Sequence, residues 1–151
     1  MADSAIGTAR DDVVELLNAA VAADQMPMPF VAERRIVPPL KREEIEGEGV
    51  FVLVLPSTAT VKRANRGKMQ QTSTITVGIC EAVTLADGAP DQVRCDQLMQ
   101  LAEAVADEMS KTSIGEAADL SPYDPERMKE GIFLAVVTAD YVGFRDVRGL
   151  E

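Results

Sequence analysis

The chain has 151 residues, no histidine and a formal net charge of −10. That length is one domain with core enough to fold without staples, and the acidic balance disfavours nonspecific binding to nucleic acid. Without histidine, Ser-His and Cys-His nucleophile pairs are excluded and the commonest zinc ligand is missing. Aromatic residues make up 4% with no Trp, which argues against a large stacking surface for bases or sugars. Cys80 and Cys95 are too few for a disulfide framework and read as reduced thiols in a cytosolic setting. The opening MADSAIGTARDD lacks the apolar core of a signal peptide, and no run approaches the ~20 apolar residues of a membrane span.

In chain order, residues 8–23 are predicted to form a helix, with Val13, Leu16, Leu17, Ala20 and Val21 at helical spacing. Thr8 and Asp11 fit a capping box, and Pro27 and Pro29 stop the chain from continuing. Residues 30–37 read as a strand ended by Pro38 and Pro39, and 40–49 as a charged loop. Val50 to Leu55 is apolar without a break, as expected of a strand buried on both faces and closed by Pro56. Residues 57–71 read as a polar connection. Residues 72–81 alternate, with Ile75, Val77 and Ile79 on one face, and are expected to pair antiparallel with the preceding strand. A turn over 85–91 leads to a second helix over 92–109, with Leu98, Leu101, Ala102, Val105 and Met109 as its buried stripe. Residues 110–131 read as irregular, and 132–145 as a long final strand. The expected order is α-β-β-β-α-β: a single α+β domain over 1–151, with a mostly antiparallel four-stranded sheet packed by two helices.

Reactive chemistry has no clear address. Glu43, Glu44, Glu46 and Glu48 lie beside Lys41 and Arg42 without calcium-loop spacing and read as a solvated loop. The serines lack a nucleophile-elbow context, and Asp87 and Asp91 flank a turn as helix-capping residues would. Tyr123 and Tyr141 read as packing residues, and the methionines form no stripe. No cofactor or metal is expected. Two features stand out. Lys62, Arg63, Arg66 and Lys68 put four cations into seven residues with no acid, either as a mobile basic loop or as a contact for phosphate or an acidic partner. The full Walker pattern is missing around Gly67 and Lys68, which argues against a nucleotide site. The final strand is apolar on both faces from Ile132 to Val137. A second copy of the chain is expected to cover that surplus, which makes Phe133 and Val137 candidate contacts between subunits.

The order of motifs resembles one family. Phe30, Glu33, Arg34 and Pro38 give F-x-x-E-R-x-x-x-P, and an apolar strand follows from Val50 to Pro56. A T-x-T-x-x-V-G-I strand holds Ile75 to Ile79, a D-x-L-x-x-L-A-E-A-V helix runs from Asp96 to Val105, and a late strand from Phe133 ends at Arg145. This arrangement resembles the tail terminator (tail completion) proteins of long-tailed bacteriophages and gene transfer agents, over nearly the whole chain. Arg35 and the proline-rich stretch 122–125 depart from the pattern. The resemblance implies a non-catalytic virion protein at the tail–neck junction, assembled in the host cytoplasm. It implies a homohexameric ring that caps the head-proximal end of the tail tube, stops elongation and meets the neck or connector protein. DNA would pass through without sequence-specific binding, and no membrane is involved. On that reading Glu43, Glu44 and Glu46 pair across a ring neighbour or a tube subunit. Lys62, Arg63, Arg66 and Lys68 face either the lumen or an acidic partner. The alternatives are another neck component (a head-closure or tail-joining protein), a small carboxylate-based enzyme, or an adaptor domain with no virion role.

Overall fold

A computed structural model describes residues 4–35, 42–86, 89–114, 118–121 and 124–146. Helix α1 runs over Ala5–Ala22 and buries Val13, Leu17 and Ala20. Its N-cap is Ser4, whose Oγ accepts from the Gly7 amide at 3.0 Å. The helix therefore starts before the expected Thr8 box. Strand β1 is short, Ala32–Arg34. The expected alternation holds at its start: Phe30 and Ala32 are buried while Val31 is 70% exposed. The rest of that expected strand, from Ile36, lies outside the described residues.

The expected loop over 40–49 contains a four-residue helix, α2 (Arg42–Ile45). Ile45 is fully buried and draws the segment onto the sheet. Gly47 then takes φ 79°, a left-handed conformation that glycine adopts without a Cβ clash and that commonly ends a helix.

Strands β2 (Phe51–Asn65), β3 (Lys68–Ala82) and β7 (Ile132–Asp146) have 15 residues each. Between β3 and β7 lie a small hairpin, β4 (Leu85–Ala86) with β5 (Ala89–Pro90), and helix α3 (Gln92–Thr112). Asp91 caps α3 through the Arg94 amide, while its expected companion Asp87 lies outside the described residues. Strand β6 (Asp119–Ser121) and helix α4 (Pro125–Lys129) follow. The expected irregular stretch 110–131 thus holds the end of α3, which runs past the expected 109 to Thr112, and two further elements. Helix α4 is short and capped by Asp124, which leaves no helical periodicity to read.

The fold is α+β, but its sheet is five-stranded and mixed, in the order β1-β2-β3-β7-β6. The pair β2–β3 is antiparallel as expected, and so are β3–β7 and β6–β7. The pair β1–β2 is parallel, because the chain crosses between them through α2 rather than through a tight turn. Among the described residues there are four helices instead of two, the additional pair being the short α2 and α4.

Helices α1 and α3 pack on one face of the sheet. Val52, Val54, Ile75, Val77, Ile79, Phe133, Ala135 and Val137 meet Val13, Leu17, Leu98, Leu101, Val105 and Met109 there. The opposite face holds a smaller cluster of Ile45, Leu53, Leu55, Cys80 and Ile132. Together the two clusters bury both faces of Val52 to Leu55. This explains a strand with no polar residue.

Candidate functional site

Beyond the two clusters the sheet continues as a ribbon. Strand β2 passes Pro56 and stays paired with β3 to Asn65, so residues 57–65, expected as a connection, form a strand exposed on both faces. Thr and Val suit that conformation. The period is hidden by a β-bulge: Pro56 opposes Ile75 and Ala59 opposes Ser73, which leaves one extra residue on β2. Even-numbered Val52 and Val54 face the helices before the bulge. After it the odd-numbered Ala59, Val61 and Arg63 do, because one inserted residue inverts the faces.

Register across β2, β3 and β7 fixes the ribbon's rows. Thr60, Thr72 and Val142 align, then Val61, Gln71 and Gly143, then Lys62, Gln70 and Phe144, then Arg63, Met69 and Arg145. The tip is a tight turn at Arg66 and Gly67, held by Asn65 Oδ1 accepting from the Gly67 amide at 3.1 Å. The four predicted cations meet at this end, and all are exposed. Lys68 is ion-paired to Asp146. Lys62, Arg63 and Arg66 make no ion pair among the described residues. Arg145 adds a fifth cation and donates to Gln71 Oε1 at 3.2 Å. Val61 (42% exposed), Val142 (40%) and Phe144 (64%) are apolar side chains left in solvent on the same ribbon.

A groove of about 640 Å³ opens at the ribbon's base, between α1 and the sheet. Helix α1 supplies Thr8, Ala9, Asp12, Glu15 and Leu16. The sheet supplies Gln71, Ser73, Tyr141 and Gly143. Asp12 and Glu15 are exposed at the rim and make no ion pair among the described residues. Asp11 beside them is occupied by Arg10 at 3.2 Å and Arg34 at 3.4 Å. Burial pushes the Tyr141 phenol above its ordinary pKa, against a pull from the Thr112 side chain, and its hydroxyl donates to the Met109 carbonyl at 3.3 Å. The groove therefore offers an apolar floor, fixed polar groups and two available carboxylates.

The other predicted contacts fare differently. Glu43 and Glu44 are exposed on α2, and Glu46 is exposed just after it. They lie on the sheet face opposite the groove, because Ile45 packs there. Phe133 and Val137 are fully buried in the chain's own core. Helices α1 and α3 cover them, so they have no surface to offer a neighbour, and the expectation that a second copy covers them is corrected. Sequence reasoning missed the groove residues Asp12, Glu15 and Tyr141. Their signal was weak, since acidic residues on a helix's outer face are ordinary.

Among the described residues no cluster of Cys, Asp and Glu is arranged to hold a metal ion, and no helix is long and apolar enough to cross a membrane. No protein-family model matches the chain, and no curated protein matches it.

Proposed function

We propose that this chain is a structural protein that caps the head-proximal end of a phage-type tail tube as a ring, stops elongation and joins the tail to the neck. The observation that carries the reading is the ribbon. The chain extends three paired strands beyond its core and places on them exposed apolar residues and, in Lys62, Arg63 and Arg66, cations with no ion pair among the described residues. Such a surface suits docking between proteins. The motif order that resembles tail terminators supports the reading further, because its strands lie side by side in one sheet: Val50 to Pro56, Ile75 to Ile79 and Phe133 to Arg145. Cyclic symmetry, with six copies as the resemblance implies, gives a finite cap in place of a fibre. The tube protein and a neck or head-closure protein are the partners, and DNA passes through without sequence-specific contacts.

The test is an electron micrograph of particles from a producer whose gene for this chain is stopped early. Overlong tubes beside separate, filled heads are expected. Tails of normal length with unjoined or leaking heads would reassign the chain to another neck component. Complete particles would overturn the virion role and favour the adaptor or enzyme readings.

A further inference from the structure

The groove at the ribbon's base and the basic tip of the same ribbon have opposite charge, and among the described residues Asp12, Glu15, Arg63 and Arg66 make no ion pair. Asp12 and Glu15 rim the groove, and Arg63 and Arg66 carry the tip. The tip cannot fill its own groove. Gln71 and Gly143, which line the groove, stand opposite Val61 in the same three-stranded ladder that ends at Asn65 and Lys68. To fold back, the ribbon would have to reverse within about four residues of paired strand, which ladder hydrogen bonding forbids.

We infer that the ribbon tip of one copy docks in the α1–sheet groove of a second copy. Arg63 and Arg66 meet Asp12 and Glu15, and Val61, on the same face of the ribbon as Arg63, is drawn toward the floor at Leu16 and Tyr141. The contact is heterologous, tip to groove, so a growing series keeps one free tip and one free groove at its two ends until it closes. This deepens the ring reading and rests on it for closure, while the contact itself stands on this chain's charges and shape. Charge steering brings the copies together, and apolar burial holds them.

The test uses the full chain at tens of micromolar in low salt, followed by sedimentation velocity. The unmodified protein is expected to self-associate, and raising salt to half-molar is expected to weaken it. Arg63→Glu with Arg66→Glu is expected to raise the dissociation constant by about tenfold or more, and so is Asp12→Lys with Glu15→Lys. The chain carrying all four reversals is expected to regain association, which a misfolded variant would not do. As a second readout, Ala64→Cys with Thr8→Cys is expected to oxidise into a ladder of trimers and larger species, because a tip-to-groove contact propagates where a two-fold contact stops at dimers. A monomer under all conditions would overturn the contact, and so would association indifferent to all four charges or crosslinks that end at the dimer. A monomer that instead binds duplex DNA through Arg63 and Arg66 would assign the tip to nucleic acid. Failure of this contact is separable from failure of the ring reading. If the reversal variants still cap tails of normal length, only the contact falls. If the contact holds and the early-stop particles are complete, only the virion role falls.

Discussion

The Cys80 thiol lies in the small far-face cluster with Ile45, Leu53 and Ile132. Burial pushes its pKa up from the ordinary 9.0 to about 11. The folded state therefore holds the proton more tightly than the unfolded state. Stability from this group is fully present below pH 9 and is lost as pH rises toward 11, by about 2–3 kcal/mol in all. Urea titrations of the chain and of Cys80→Ala should show it: the variant is less stable near neutrality and loses less stability between pH 9 and pH 11. A second residue-scale device is Glu81, whose side chain is 10% exposed and accepts from Arg94 Nη2 at 2.6 Å and Nε at 2.7 Å. That bond raises the Arg94 pKa further. Arg94→Ala strands a buried carboxylate and should cost roughly 2–3 kcal/mol, part of which Glu81→Gln in the same chain should restore. The alternation through Ser73, Ile75 and Val77 was readable at this scale because burial there follows period two, whereas from Gly78 to Glu81 both faces are buried, beyond the single core face that alternation predicts. The Glu81–Arg94 pair was not, because nothing in a strand sequence says which helix residue lies above it.

Among elements, β1 shows how a marginal strand is held. Its outer edge meets a side chain in place of another strand: Asn18 Oδ1 accepts from the Ala32 amide at 2.8 Å, and Asn18 Nδ2 donates to the Ala32 carbonyl at 3.3 Å. Asn18→Ala should cost about 1–2 kcal/mol and strip hydrogen-exchange protection from the Ala32 amide before any other in the sheet. The ribbon is the opposite case, long and barely tied to the core. Replacing residues 61–68 by a short turn should leave stability within about 1 kcal/mol while abolishing self-association. Helices α1 and α3 were legible from their apolar stripes, whereas α1's true cap was masked. Gly7 weakens the helical signal of the first turn, yet it is what admits the cap, since a Cβ there would stand 2.7 Å from Ser4 Oγ. The second half of β2 was illegible for a different reason. A strand exposed on both faces shows no hydrophobic alternation, and the bulge breaks what period remains.

For the molecule as a whole, the class was legible and the topology only partly. The buried strand from Val52 to Leu55 and the long β7 follow from apolar runs that need cover. The parallel β1 does not, because it depends on a four-residue helix that Ile45 anchors to the sheet. The apolar excess on β7 pointed to a neighbouring subunit, yet the chain's own helices absorb it. The central ladder also sets the order in which the molecule can form. Strands β2 and β3 meet across a two-residue turn, but Ala82 must wait for Ile132 and Lys68 for Asp146, with α3 made in between. Closing such long loops is slow. The early hairpin should be populated with one raw edge of β3 showing, and that edge is the hazard for aggregation until β7 arrives. Stopped-flow measurements should find Val77→Ala slowing folding and Val137→Ala mainly speeding unfolding. Equal slowing by both would mean that the sheet closes in one step. The feature that gives the protein its reach thus also makes its youth its most vulnerable moment, and the concentration at which it is synthesised should decide its yield as much as its final stability does.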